Sequence, residues 1–226
     1  MKPPRASLAA LLLAQAQETF NDCAAKFMLI GVTQQLARAA GEDPKPMISL
    51  IALLLVLPYV LFAPVCGWLA DRFPKRTVLN WTLVSQIGVM LLLVAALVLK
   101  SYGLAMTAFF LLSAETAVLA PAKRGILLEY VGERQLSRWV GYMEMLNITA
   151  ILVGTFAGGW LFSYWLGEGN DVWEAGLKVA WLLTGLAVVA WALFQVAQPT
   201  KAQSMEPFRA SLWIRHFKDV AEIWRE

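Results

Sequence analysis

Six apolar stretches, each about as long as the ~20 residues a helix needs to cross a hydrocarbon core, follow one another along the chain. They cover residues 8–36, 48–70, 78–99, 104–127, 140–166 and 177–196. Runs of this length with helical punctuation at both ends predict an all-α membrane protein of six transmembrane helices. Three breaks are short and weakly basic: Gly41-Glu42-Asp43-Pro44, Ser101-Tyr102-Gly103 and Gly167-Glu168-Gly169-Asn170-Asp171. The alternate breaks, near Asp71, Glu133 and Lys201, are charged.

The basic residues give this pattern a direction. Fourteen Lys and Arg fall in the N-terminus, the second and fourth connections and the tail, against four (Arg38, Lys45, Lys100 and Lys178) on the opposite side. The positive-inside rule therefore predicts that both termini are cytoplasmic. Trp81, Trp139, Trp160, Trp165 and Trp173 fall near the expected span ends, where interfacial aromatics collect.

Composition excludes an ordinary soluble domain: 59% of the residues are hydrophobic and 15% charged, against an apolar share of about 45–50% in soluble chains. Cys23 and Cys66 sit inside apolar runs without metal-ligand spacing, so they read as small buried hydrophobes. The first apolar stretch contains Glu18, Asp22 and Lys26 and lacks a small-residue cleavage site, which makes it a first span and not a removable signal. The net charge of +3 belongs to topology and shows no pattern that suggests nucleic acid. The single histidine, His216, lies in the tail, and no glycine-rich phosphate loop occurs, so neither catalysis, a cofactor, a metal nor ATP is expected.

Within the first stretch, Gln15, Glu18, Asp22 and Lys26 fall in one stripe at ~100° per residue. An ionisable group at membrane depth costs ~2.5–3.5 kcal/mol on insertion scales, so such a stripe faces protein or a wet cavity. Two readings stand: an internal Asp22–Lys26 pair at i, i+4 that lets the helix insert, or a cavity lined by this stripe, since Glu18 has no partner nearby in sequence. Glu115 with Thr116, and Glu144 with Asn147, are the other polar groups deep inside apolar runs. For Glu144, cavity lining and a structural hydrogen bond to a neighbouring helix are both open.

The second connection reads Gly67-Trp68-Leu69-Ala70-Asp71-Arg72-Phe73-Pro74-Lys75-Arg76. Its order resembles the signature loop of the major facilitator superfamily, G-x-L-x-D-R-x-G-R-K, with Pro74 standing at the glycine. Three more segments are similar to the bacterial lysophospholipid transporter branch of that superfamily: Phe20-Asn21-Asp22-Cys23-Ala24-Ala25-Lys26, Ala120-Pro121-Ala122-Lys123-Arg124-Gly125-Ile126-Leu127, and Gly141-Tyr142-Met143-Glu144 followed by Ala150-Ile151-Leu152-Val153-Gly154 and Ala157-Gly158-Gly159. In the first of these Cys23 replaces a polar residue.

The resemblance implies a secondary carrier of the bacterial inner membrane that moves lysophospholipid by alternating access, with a drug or metabolite carrier and a membrane anchor for acyltransferase enzymes as alternatives. It implies that the chain corresponds to an N-terminal six-helix half, whose partners are the bilayer, an amphipathic substrate, and a second half or an acyltransferase. It also implies that the first, second, fourth and fifth helices line a central cavity, bringing Asn21 in with Gln15, Glu18, Asp22, Lys26, Glu115, Glu144 and Asn147, while the third and sixth are peripheral. Gly67 and Asp71 then belong to a cytoplasmic gate, with Arg72, Lys75 and Arg76 beside them; for Lys75 and Arg76 the expected role is that of topology anchors. Lys123 and Arg124 have two open readings, as contacts for a lipid phosphate or as anchors at headgroup level.

Gly154 and Gly158 form a small-xxx-small pair that predicts a close helix–helix approach. The organisation expected is a six-helix bundle over residues 1–198 and a cytoplasmic linker over 199–226. Trp213, Phe217, Val220 and Trp224 recur there at helical spacing, the mark of a surface-lying amphipathic helix or of one packed on loops.

Overall fold

A computed structural model describes residues 5–200, without the side chains of Ala63, Pro64, Gly67, Ala70, Asp71, Leu119, Pro121 and Arg124. The expected amphipathic helix of the tail lies outside the described residues.

Six helices occupy the six apolar stretches and extend beyond most of them: α1 (Arg5–Ala40), α2 (Lys45–Arg72), α3 (Lys75–Val98), α4 (Tyr102–Val131), α5 (Glu133–Gly167) and α6 (Val172–Phe194). Local chemistry ends them where the sequence turns polar. Pro44 and Pro74 precede α2 and α3, and the Ser101 hydroxyl accepts from the Leu104 amide at the start of α4. Gly132, at φ +68°, is the single residue between α4 and α5, a left-handed position that glycine occupies without steric cost.

Among the described residues, four helices, α2 (over Lys45–Phe62), α3, α5 and α6, are long and apolar enough by length and composition to cross a membrane. Of the other two helices, α1 carries Glu18, Asp22 and Lys26, and α4 is apolar over Tyr102–Val118 among the described residues. Together α1 and α4 hold most of the charge inside the bundle. They are also the ones the others wrap: α1 packs on α5 and α6, α4 on α2 and α3, and α3 closes the ring against α6.

The helices α1 and α5 approach closely, as the glycine spacing predicts. A Cβ on Gly154 would lie 2.6 Å from the Phe20 carbonyl oxygen, and one on Gly158 would strike the Ala24 backbone. Only hydrogen fits there, which lets α5 lie directly on the α1 main chain.

Two apolar clusters fill the interior. One joins Leu8, Leu11, Val78, Leu79, Ile126 and Phe194 towards the α2–α3 end. The other joins Met28, Leu29, Met90, Leu97, Phe109 and Leu183 towards the opposite end. Between them, at mid-helix, lies a layer of polar side chains.

Candidate functional site

That layer is built by α1, α3 and α4. On α1, Gln15 and Glu18 are buried and Asp22 is half-buried, as the stripe requires. α4 contributes Glu115, Thr116 and Lys123; α3 contributes Thr82, Ser85 and Gln86. The Lys123 ammonium stands 3.7 Å from Glu18 Oε2, and both side chains are largely buried. Thr116 donates its hydroxyl to Asp22 Oδ2 at 2.5 Å, and the Ser85 hydroxyl bonds Glu115 Oε1.

Several expectations are corrected here. The partner of Glu18 is Lys123, far along the chain, and the polar partner of Asp22 is Thr116; among the described residues no Asp22–Lys26 ion pair forms. Lys26 instead sits half-buried with its ammonium 5.8 Å from the Phe27 ring centroid. Lys123 is not an anchor at headgroup level. Its long stem runs inward beside Leu11, Ala14 and Gln15, because a buried carboxylate is costly without a counter-charge and a lysine stem is apolar enough to reach it.

Asn21 turns out of the layer: it is fully buried and donates to the Leu183 carbonyl of α6 at 3.0 Å. The third helix, expected at the periphery, presents Thr82 and Gln86 to the same pocket as Glu18, Glu115 and Thr116, with Leu83 and Leu112 completing its wall. The reason lies in packing: α3 lies on α4 through this face. On α5, Asn147 accepts from Thr19 at 2.7 Å, tying α5 to α1, and Glu144 is half-buried one turn earlier.

At the α2–α3 end the basic residues do more than anchor. Lys75 is buried, bonds Glu129 of α4 at 2.7 Å, and lays its stem where a Cβ on Gly125 would otherwise stand. Arg76 caps the end of α6: Nε donates to the Ala197 carbonyl at 2.6 Å and Nη2 to the Gln195 carbonyl at 3.1 Å, while its amide donates to the Thr200 hydroxyl. A cation on orphan C-terminal carbonyls is favourable in hydrogen bonding and in dipole. Arg72 is half-buried at the end of α2. Gly67 and the side chains of Asp71 and Arg124 lie outside the described residues.

Thr19, Thr82, Glu129 and the capping role of Arg76 escape a reading by sequence. Single hydroxyls in apolar helices cost little to insert and break no periodicity, so only Ser85 and Gln86 stand out as the polar points of the third stretch.

A bundle of long apolar helices around a buried, partly ion-paired polar layer defines an integral membrane protein, and its family follows from comparison with known sequences. The model of the Major Facilitator Superfamily matches residues 10–225, and the chain belongs to that family. It is similar to the lysophospholipid transporter LplT of Photorhabdus laumondii, at 32% identity over 80% of this chain and 41% of the relative. The LplT proteins of Cronobacter sakazakii and Yersinia pestis are 30% and 32% identical over 72% and 81% of this chain and 38% and 41% of their own lengths. The chain therefore spans about two fifths of the curated relatives it matches.

Proposed function

We propose that the chain is one six-span unit of a secondary carrier in the bacterial inner membrane, with both termini cytoplasmic, that moves lysophospholipid by alternating access. The carrying observation is the mid-bundle polar layer, in which Asp22 and Lys26 remain half-buried while Glu18 and Lys123 are paired behind them. The similarity to proteins named lysophospholipid transporters supports the substrate class.

The chemistry suits a zwitterionic headgroup. Asp22 keeps one carboxylate oxygen, Oδ1, shielded from solvent and without a hydrogen-bond partner, an acceptor for an ammonium group once the bundle opens to the substrate. Lys26, and Lys123 when it releases Glu18, supply cations for a phosphate, with Arg124 as a second contact. The acyl chain runs along the apolar rows that α2 (Leu53, Val56, Val60) and α5 (Ile148, Leu152, Phe156) leave exposed. Glu144 and Asn147 border this path. A second six-helix half faces it, and Asp71 with Gly67 closes the cytoplasmic side against that half.

Uptake of labelled lysophosphatidylethanolamine into spheroplasts producing the carrier tests this. Asp22→Asn is expected to abolish uptake with membrane insertion intact; wild-type uptake in that variant would overturn the assignment. A reporter active only in the cytoplasm is expected to work after Glu226 and to fail at Asn170.

A further inference from the structure

We propose that the pocket enclosed by α1, α3 and α4 binds a sodium ion through oxygen atoms of Glu18, Glu115 and Gln86. The strongest pointer is Gln86. It is 2% exposed, it lines the pocket, and neither its Oε1 nor its Nε2 has a hydrogen-bond partner. Burying an amide unsatisfied carries its full desolvation penalty, and an apolar residue of the same size would avoid that cost. Packing alone gives no reason for a glutamine here, whereas an ion that takes its carbonyl oxygen does.

The neighbouring oxygens agree. Glu18 Oε2 and Glu115 Oε2 are sealed from solvent without hydrogen bonds, and the Thr82 and Thr116 side chains border the same space. Charge points the same way: among the described residues, Glu18, Asp22 and Glu115 have one ammonium close by, that of Lys123, with Lys26 a turn beyond Asp22. Buried charge of one sign is expensive until a counter-ion neutralises it.

The donor set selects the ion. All the oxygens are hard, which excludes soft metals, and no group of three His, Cys, Asp or Glu suited to a metal ion occurs among the described residues. Calcium takes 6–8 oxygens, more than two carboxylates and one amide carbonyl supply, and the pocket, with room for about one water-sized particle, leaves no space for waters to complete such a shell. A small, singly charged cation held by two carboxylates and an amide fits both limits. Asp22 and Lys26 are not among the residues that line the pocket, and its occupancy is measurable without any substrate.

The test uses the purified 226-residue chain in detergent at fixed pH and ionic strength. Saturable binding of radiolabelled sodium is expected, with a higher unfolding temperature in sodium chloride than in choline chloride. Glu115→Gln and Gln86→Leu should each weaken sodium binding about tenfold or more, and Glu133→Gln should leave it unchanged. Gln86→Leu carries a further signature: without sodium it should be at least as stable as the wild type, having lost an unsatisfied amide, yet gain nothing when sodium is added. Absence of saturable binding, wild-type sodium affinity in both variants, or an unfolding temperature that follows pH but not sodium would overturn the proposal, the last by assigning the pocket to a proton. A lysophospholipid-uptake assay that failed with sodium binding intact would count against the substrate reading alone.

Discussion

Two lysine–carboxylate bonds of the same length, 2.7 Å, mark opposite ends of this bundle, and they differ in nearly every other respect. Lys75–Glu129 joins α3 to α4 with the lysine side chain 3% exposed and the glutamate 26%. Lys100–Asp171 joins the α3–α4 and α5–α6 connections with 60% and 43% exposure. The Coulomb partners are equivalent; the surroundings are not. In water the attraction is screened and offset by side-chain entropy. Under the α4 helix, the Lys75 stem fills the space left by Gly125, and its charge has little water to fall back on.

The comparison breaks most sharply if the buried partner is removed. Glu129→Ala strands the Lys75 ammonium and is expected to cost about 3 kcal/mol, the lower end of the range for breaking a buried pair, since Glu129 keeps some contact with water. Lys75→Met, which keeps the stem and deletes the charge, should cost clearly less, because the remaining carboxylate can turn to solvent. Thermal unfolding of the two variants in one detergent checks the order; a larger loss for Lys75→Met would mean that the pair itself, and not the stranded charge, carries the stability.

Burial decides packing in the same way. Gly158→Ala puts a methyl group into the Ala24 backbone and is expected to destabilise by about 1–3 kcal/mol, with α5 displaced from α1. Its neighbour Gly159 faces open space, and there the same change should be neutral or stabilising by up to about 1 kcal/mol through helix propensity. Equal effects at the two positions would remove the basis for placing α5 directly on the α1 main chain.

These contrasts mark what the sequence makes legible. The six helices are readable because lipid demands long apolar runs, and Glu18 and Asp22 are readable because a charge inside such a run is conspicuous. Their partners are not: Lys123 lies about a hundred residues from Glu18, and nothing in local spacing says that it turns inward when Lys75, Arg76 and Lys123 all sit in basic connections. Even the inward turn of Lys75 depends on Gly125 of another helix. Periodicity likewise separates faces of one helix but does not rank helices; the peripheral place that the family resemblance implies for α3 agrees with its small polar content, although Gln86 enters the polar layer. The glycine pair of α5 is the counter-example, since small residues four apart specify a contact whatever the partner.

The smallest effect is expected at the exposed pair. Hydrogen bonding to Lys100 holds the Asp171 carboxyl below its usual range, and the same bond raises the Lys100 ammonium above its own. The Asp171 contribution is therefore present above the unfolded carboxylate value, about 3.9, and is lost as pH falls through the depressed folded value. The Lys100 contribution is present below the unfolded value, about 10.4, and is lost as pH rises through the elevated folded value. Between about pH 5 and pH 9 neither group changes its charge in either state, so the pair adds no slope to stability there. Lys100→Met should leave the unfolding temperature unchanged within error at pH 7 and at both ends of that window, in high salt as in low. A salt-sensitive loss in this variant comparable to that of Glu129→Ala would break the comparison, because it would mean that distance, and not burial, sets the strength of these two bonds.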